Sequence, residues 1–265
     1  MISGRRSLRR MGLYVFARVN PGDIHIRHHH TGERIRLHSF RHKGYWYHGR
    51  QRERDVMAAF SRLVRPGDRV LEAGGHIGYI TLYFAKLVGP TGTVAVFEPG
   101  NNNLPYLRAN VADQPTITVH PVALGSESGD LELYLEDLTG QNNSLVPDFD
   151  VLSANQGNAV HATVTRQPVT VTTIDEHVAA TGAVPDFIKI DIEGFEYEAL
   201  LGAADTLERH HPRMMVEVQA HHTEITERLH GLGYRFYGAN GAPLDVIPQG
   251  MENIFCLPAD MPWPS

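Results

Sequence analysis

Hydrophobic residues alternate along the chain between two patterns from Arg69 onward. Short apolar runs typical of buried strands are followed by stretches in which apolar residues recur every three or four positions, as on one face of a helix. The runs predict strands at 70–73, 93–97, 117–122, 187–191, 214–218, 234–237 and 253–257. Helices are predicted near 77–88, 104–111, 174–180, 200–207 and 225–232. This rhythm predicts an α/β, Rossmann-like doubly wound fold with a mostly parallel sheet, and an antiparallel C-terminal edge hairpin.

Two segments depart from this rhythm. Residues 1–50 contain short alternating stretches around a Thr31-Gly32 turn signal, which predict an N-terminal hairpin before a helix at 51–64. Residues 125–171 predict a β-excursion with a loop near 147–165, for which a lid and disorder are equal alternatives. We therefore divide the chain into an extension, 1–50, on the side of the substrate, and a domain, 51–265, that carries the 125–171 insertion.

Aromatic residues and histidines cluster in the extension. Three consecutive histidines at 28–30 invite a metal interpretation, but strand alternation turns the middle one to the opposite face, so we favour a structural or solvent-facing role. Tyr45-Trp46-Tyr47 is expected either to form a wall over substrate or to pack against the domain.

The composition narrows the class of partner. The 265 residues carry a net charge of −6, which argues against a general nucleic-acid binder because such a protein needs a broad basic face. Cys256 is the one cysteine, which favours a reducing, cytoplasmic compartment. The apolar stretch at 13–19 is short and interrupted by Arg18, so no membrane partner is expected. A small molecule is the expected substrate, and a homo-oligomer is left open.

A glycine-rich turn between a strand and a helix carries the central functional signal. It contains Glu72, Gly74, Gly75, His76 and Gly78. Strand, glycine turn and amphipathic helix occur in the order that a nucleotide-type ligand needs, since glycine allows a sharp turn and a close approach. A pyrophosphate would be repelled by the acid before the turn, whereas the cationic amino group of S-adenosylmethionine suits it. We therefore predict S-adenosylmethionine as the cofactor, bound by these five residues.

A second acid supports the same site. Glu98 ends the next strand and precedes Pro99. A carboxylate at that strand end can accept both hydroxyl groups of a ribose. We add Glu98 and Pro99 to the predicted cofactor-binding residues.

These motifs, with later ones in the same order, resemble the FkbM-type methyltransferase family. The resemblance runs through VLEAGGHIG at 70–78, FEP at 97–99, DFIKIDIEGFE at 186–196 and LLGA at 200–203, and it covers roughly residues 52–257. It implies methyl transfer to oxygen on a sugar or secondary metabolite, as in natural product biosynthesis. The family commonly has aspartate where Glu72 stands and asparagine where His76 stands, so His76 is expected to face either cofactor or substrate.

The segment after the third βα unit supplies the catalytic candidates. Lys189 interrupts an apolar strand, where an unpaired ammonium is costly, so we predict that it pairs with Asp191, Glu217 or Glu72. Asp191 ends that strand and is our first choice for a base or for orienting the acceptor hydroxyl, and it also borders the cofactor. Glu193 and Lys189 are further catalytic candidates.

Two residues after the following strand complete the candidate set. Glu217 could join Asp191 in a carboxylate pair that holds Mg²⁺, although the spacing does not require a metal. His221 begins the next loop and is an alternative base.

Three other functions share these motifs. N-methylation of a similar acceptor is a close variant of O-methylation. A nicotinamide-dependent oxidoreductase would use the same glycine loop, and a non-catalytic regulator would bind the cofactor only to sense it.

Overall fold

A computed structural model describes residues 22–136, 141–147 and 164–264. The apolar stretch at 13–19 and most of the loop predicted at 147–165 lie outside these residues. No helix of the described segments has the length and apolarity needed to cross a membrane.

The main sheet has eight strands and matches the predicted fold class. Five parallel strands form its core, in the spatial order β10-β9-β3-β4-β5, and three antiparallel strands extend it beyond β10 in the order β13-β11-β12. The bounds are β3 Arg69–Ala73, β4 Thr93–Phe97, β5 Ile117–His120, β9 Phe187–Ile190, β10 Arg213–Glu217, β11 Tyr234–Tyr237, β12 Pro243–Leu244 and β13 Asn253–Pro258. The predicted antiparallel C-terminal end is therefore confirmed, with β13 lying between β10 and β11.

The described helices follow the predicted alternation with two differences. Their bounds are α1 Lys43–His48, α2 Arg54–Leu63, α3 Tyr79–Val88, α4 Leu104–Val111, α5 Ile174–Thr181, α6 Glu196–Leu201, α7 Ala204–His210 and α8 His222–Gly231. Helix α1 stands where strands and turns were expected. The single helix predicted around 200–207 is two helices, which are separated at Gly202. Gly202 packs so closely on Gly125 that a β-carbon would lie 1.9 Å from the Gly125 carbonyl oxygen.

The N-terminal hairpin packs on the helices that flank the parallel sheet. Strands β1 (Asp23–Arg27) and β2 (Arg34–His38) pair antiparallel, as predicted. Ile35 and Leu37 are fully buried in the same hydrophobic core as α2 and α3. The Asn110 side chain ties β2 to α4, because it accepts a hydrogen bond from the Arg36 N–H and donates one to the Arg36 carbonyl.

The 125–171 excursion contributes most of a second, three-stranded sheet. Strand β8 (Val164–Thr172) lies between β6 (Ala123–Leu124) and β7 (Gly129–Glu136). Leu133, Leu135, Val169 and Val171 form its small apolar core. The Gln167 side chain accepts a hydrogen bond from the Asn101 N–H and donates one to the Pro99 carbonyl, so this sheet is fixed beside the end of β4.

Candidate active site

A cavity of about 320 Å³ opens at the carboxyl ends of the parallel strands. That edge is where ligands bind in open α/β sheets. Its lining includes most of the predicted site residues, namely Glu72, Gly74, Gly75, His76, Glu98, Pro99, Lys189, Asp191, Glu193 and Glu217. One protein surface therefore brings together the cofactor-binding and catalytic candidates.

The glycine turn uses its backbone N–H groups within the protein. Gly74 and Gly75 both donate to the Phe97 carbonyl oxygen, at 2.9 and 3.2 Å, and the His76 N–H donates to Glu98 Oε2 at 2.7 Å. A dinucleotide site needs such groups free to bind pyrophosphate. These three N–H groups are therefore not free to bind a phosphate.

Close packing, rather than ligand approach, explains the first two glycines. A β-carbon on Gly74 would lie 1.8 Å from the Asp191 carbonyl oxygen, and one on Gly75 would lie 2.3 Å from Val96 Cγ2. Gly74 also has φ +85°, which favours glycine. These contacts press the turn against β4 and β9, and they fix the distance between the turn and Asp191.

His76 occupies a left-handed backbone conformation, with φ +47°. Asparagine and histidine are among the few residues that tolerate this conformation, which explains how histidine can replace the asparagine of the resembled family. Its Nδ1 lies 2.9 Å from the Tyr45 hydroxyl. The side chain therefore lines the cavity and contacts the extension at the same time.

Two buried carboxyl groups border the turn, and they differ in their hydrogen bonds. Glu98 accepts hydrogen bonds from the N–H groups of His76 and Gly100, whereas neither Glu72 oxygen has a hydrogen-bond partner among the described residues. Burial raises the pKa of each to about 7, and the charge of Lys189 opposes the rise at Glu72. Glu72 thus offers a buried acceptor for a cationic donor. Glu98 also accepts from Asn103 Nδ2 at 3.3 Å, so Oε2, which has one donor, keeps a lone pair for a hydroxyl group.

Lys189 is paired as predicted. Its Nζ lies 3.0 Å from Asp191 Oδ2, 3.8 Å from Glu72 Oε1 and 3.0 Å from the Gly74 carbonyl oxygen. The strand register explains the second contact, because Glu72 of β3 and Lys189 of β9 are direct neighbours. Although burial opposes the charged ammonium, the Asp191 and Glu72 carboxylates raise the pKa of Lys189, so it stays a cation.

Three carboxyl groups crowd together beside this lysine. Oxygens of Asp191, Glu193 and Glu217 all lie within 4.8 Å of one another, and Gln219 Nε2 donates to Glu193 at 2.9 Å and to Glu217 at 2.7 Å. Burial, reinforced by the charge of Asp191, raises the pKa of Glu193 to about 8 and of Glu217 to about 11. Burial also acts on Asp191, but the Lys189 charge outweighs it and lowers the pKa of Asp191. The cluster can therefore hold an anion, a proton acceptor and a bound proton together.

Two of the predicted site residues, Gly78 and His221, do not line the cavity. Gly78 packs against Leu107 and Val111, outside the cavity lining, and it precedes α3 with φ +84°. The His221 side chain is about half exposed, lies 3.6 Å from Glu224 and stacks on Tyr197.

One wall of the cavity comes from residues 45–53 and from the excursion. Tyr45, expected either over the substrate or against the domain, lies in this wall, whereas sequence reasoning missed Arg52, Glu53, Asn143 and Leu145. The aromatic run at 45–47 was the available signal, and within it Tyr45 is buried against the cavity while Tyr47 is 66% exposed. The histidine run at 28–30 is structural at its first member, because His28 Nδ1 accepts from the His30 and Thr31 N–H groups.

Comparison with known proteins identifies the chain. The Methyltransferase FkbM domain model matches residues 72–236, which is more than half of the sequence. The chain belongs to the FkbM methyltransferase family. No curated protein matches it significantly.

Solved structures of methyltransferases are similar to this FkbM family member. Methyltransferase FkbM from Methylobacillus flagellatus KT shares 16% identity at a TM-score of 0.47, and the match covers 80% of this chain and 60% of that one. Aeropyrum pernix fibrillarin in complex with natively bound S-adenosyl-L-methionine shares 14% identity at a TM-score of 0.45, covering 89% and 82%. A SAM-dependent O-methyltransferase from Thermotoga maritima shares 13% identity at a TM-score of 0.40, and the match covers 79% of this chain and 66% of that one. The chain thus spans less than two thirds of the Methylobacillus protein.

Membership of the FkbM family implies S-adenosylmethionine as cofactor, and the cavity fits that molecule. The Glu72 oxygens, which have no hydrogen bond among the described residues, suit the amino group of its methionine end, and Glu98 Oε2 suits a ribose hydroxyl. Apolar side chains of Phe97, Val122 and Leu124 line the same cavity and suit an adenine ring.

Proposed function

We propose that this FkbM family member transfers a methyl group from S-adenosylmethionine to a hydroxyl group of a small molecule, such as a sugar or secondary metabolite. The supporting observation is the crowding of Asp191, Glu193 and Glu217 beside the predicted cofactor loop. A hydroxyl oxygen needs to lose its proton and be aimed at the methyl carbon, and carboxyl groups with separated pKa values can do both.

The three acids are assigned different tasks by their surroundings. Asp191 is held as an anion by Lys189 at 3.0 Å, so it orients the acceptor hydroxyl by accepting its hydrogen bond. Glu193, whose pKa is raised to about 8, is mostly protonated at pH 7, and in its ionised form it is a stronger base than Asp191 and receives the proton. Glu217 stays protonated at neutral pH, since its pKa is raised to about 11. When bound, S-adenosylmethionine supplies an already activated methyl group, so these residues chiefly align the acceptor and accept its proton.

The same acids are also the described residues best suited to Mg²⁺, which prefers oxygen ligands and often needs only one or two carboxylates. A bound cation would displace the proton from Glu217, and the acceptor hydroxyl would then be oriented by the cation. We include this as a variant of the proposal, because the acid cluster serves either ion.

An acceptor screen tests the proposed function. The protein is incubated with methyl-labelled S-adenosylmethionine and a panel of hydroxylated small molecules, with EDTA or with Mg²⁺. We expect label in an ether product, and mass spectrometry of that product separates O- from N-methylation. Transfer that persists in EDTA removes the metal variant. If S-adenosylhomocysteine fails to bind while NADH binds in calorimetry, the proposed function is wrong and an oxidoreductase replaces it.

A regulator that merely senses the cofactor is distinguished by one variant. Asp191→Asn should abolish transfer to every acceptor in the panel. Full cellular activity of Asp191→Asn with unchanged cofactor affinity would favour the sensor instead.

A further inference from the structure

Arg52 lies in the wall of the cavity but outside residues 72–236, which match the family domain. It connects a 3₁₀ turn, Gly49–Gln51, to helix α2. Its guanidinium carbon lies 4.5 Å from the centre of the Tyr45 ring, and its Nη2 lies 2.9 Å from Glu53 Oε1. The side chain is 22% exposed and lines the cavity, so its planar guanidinium faces the cavity from the segment before α2.

The local sequence makes room for this guanidinium. A β-carbon on Gly44 would lie 2.7 Å from Arg52 Nη1, so a larger residue there would displace it. Tyr45 in turn is held by its hydroxyl contact with His76 Nδ1 at 2.9 Å. Arg52 is therefore positioned through Tyr45 relative to the cofactor loop.

Arg52 is the cation that remains available to a ligand. Among the described residues lining the cavity, Lys189 and Arg52 are the lysine and arginine side chains. Lys189 is already paired with Asp191 and bonded to the Gly74 carbonyl oxygen, each at 3.0 Å, and its charge also faces Glu72 at 3.8 Å. Arg52 contacts one acid through Nη2 and has five N–H donors, enough to bind a second carboxylate with two parallel hydrogen bonds.

The charge of the cavity leaves one place for an anionic group. Its described lining holds seven acids, Glu53, Glu72, Glu98, Asp191, Glu193, Glu217 and Glu252, against those two cations. The acids that are ionised repel an entering carboxylate, and Lys189 is already paired with Asp191, so Arg52 is the side chain of the described lining that attracts it. The amino group beside that carboxylate suits the unpartnered oxygens of Glu72. A carboxylate and an ammonium on one carbon are the chemistry of an amino-acid end.

We infer that Arg52 binds the carboxylate of the methionine end of S-adenosylmethionine, so that a segment preceding the matched family domain completes its cofactor site. This inference rests on the proposed function, and it deepens that function by naming a residue outside the matched domain. The same chemistry would serve the carboxylate of an acidic acceptor, so the experiment separates these two sources.

Calorimetry with two ligands tests the assignment without any turnover. S-adenosylhomocysteine carries the carboxylate, and S-adenosyl-3-thiopropylamine is the same molecule without it. The variants are Arg52→Gln, Arg52→Lys and, as a matched control, Arg50→Gln, because Arg50 is exposed and does not line the cavity. Thermal unfolding of each variant reports whether the fold is retained.

We expect Arg52→Gln to weaken S-adenosylhomocysteine binding about 10- to 100-fold, the effect of losing a charged hydrogen-bond pair. Arg52→Lys should fall between this variant and wild type, because lysine keeps the charge but not the planar fork. Binding of S-adenosyl-3-thiopropylamine should be equal in wild type and Arg52→Gln, and Arg50→Gln should bind both ligands as wild type does.

Three results would overturn the assignment. Arg52→Gln that binds S-adenosylhomocysteine as tightly as wild type, and loses only the apparent affinity for an acidic acceptor, moves Arg52 to the acceptor site. Equal weakening of both ligands shows that Arg52 only holds local structure. Wild-type protein that binds neither ligand refutes the proposed function itself, and the assignment with it.

Discussion

Two buried ion pairs lie at opposite ends of the parallel strands, one at the amino ends (the amino edge) and one at the carboxyl ends (the carboxyl edge). The two pairs differ in how the surrounding groups balance their charges. At the amino edge, Arg213 of β10 donates to Asp68 at 2.9 Å, to the Asp186 carbonyl at 3.2 Å and to the Leu63 carbonyl, and Asp68 also accepts the Arg65 N–H at 2.7 Å. At the carboxyl edge, Lys189 of β9 faces Asp191 and Glu72, with Glu193 and Glu217 close behind.

The difference separates a structural pair from a functional one. Arg213 and Asp68 balance each other, and carbonyl or N–H partners satisfy them, so the pair ties α2, β3 and β9 together without needing a ligand. Beside Lys189 the acids outnumber the cation, and Glu72 lacks hydrogen-bond partners among the described residues. Crowding of this kind costs stability and persists where a substrate, cofactor or ion uses the charge.

The largest effect is expected when the charge of Asp191, the anion paired with Lys189 at the carboxyl edge, is removed. Asp191→Asn should lower kcat about 10²- to 10⁴-fold, because the acceptor hydroxyl loses an ionised hydrogen-bond partner. Steady-state kinetics at saturating cofactor measure this. Asp186→Asn, at the opposite end of the same strand, is the control and should keep wild-type kcat. Equal losses in both variants would mean that the two edges do not differ in function.

The second largest effect is expected when Arg213, the cation of the balanced pair at the amino edge, is replaced. Arg213→Met should lower the free energy of unfolding by about 3–5 kcal/mol, because Asp68 is left as a buried, unpaired charge. Urea unfolding measures the loss, and calorimetry should show unchanged affinity for S-adenosylhomocysteine in the folded protein. Arg209→Met is the control: its pair with Asp205 is largely exposed, so the change should stay within about 0.5 kcal/mol. Weakened cofactor binding by Arg213→Met would contradict its purely structural role.

A smaller effect of opposite sign is expected within the acid cluster. Glu217→Gln should raise the free energy of unfolding by about 1 kcal/mol, since it relieves crowding with Asp191 and Glu193, while lowering kcat. Urea unfolding and kinetics on the same sample measure both. Exposed Glu224→Gln should change neither. A destabilised Glu217→Gln protein would show that the cluster serves the fold.

The smallest effect is a pH dependence of stability. The folded protein keeps protons on Glu193 and Glu217 that unfolded glutamates release near pH 4.5, because burial and the Asp191 charge raise these pKa values to about 8 and 11. The folded state then binds more protons, so the free energy of unfolding should fall as pH rises from 7 to 9, by at most about 1.4 kcal/mol per pH unit and group.

Variants from each edge sharpen this measurement. Glu217→Gln should flatten the decline, whereas Arg213→Met should leave its slope unchanged. The window avoids the buried His28 and His42, because burial lowers their pKa values to about 4 and about 3, and their contribution is lost only as pH falls below about 6.5. An equal slope in wild type and Glu217→Gln would contradict the assignment.

The sequence was sufficient for features that depend on local pattern. Periodicity gave the order of strands and helices, and the carboxyl-edge rule then placed Glu72, Glu98 and Asp191 around one cavity. The pairing of Lys189 was predictable as well, because an ammonium within an apolar strand needs a neighbouring acid. Each inference used residues within one βα unit or one strand register.

Features set by contacts between distant segments were not predictable in this way. Arg52 carries no local motif, and the aromatic run at 45–47 leaves open whether Tyr45 faces the substrate or packs against the domain, because the outcome depends on how the hairpin packs on α3 and α4. Likewise, the apolar period through 200–207 gives no sign that Gly202 must meet the Gly125 carbonyl and interrupt the helix. A periodic pattern shows which face is buried but not which backbone approaches it.

The docking of the hairpin has a consequence for how the chain can be shortened. Ile35 and Leu37 insert into the core around α2 and α3, Asn110 holds the Arg36 backbone, and Tyr45 holds His76. We therefore expect residues 22–48 to unfold cooperatively with the rest of the described chain. In a fragment that begins at residue 51, a continuous hydrophobic surface on those helices would be exposed to solvent, and we expect such a fragment to self-associate.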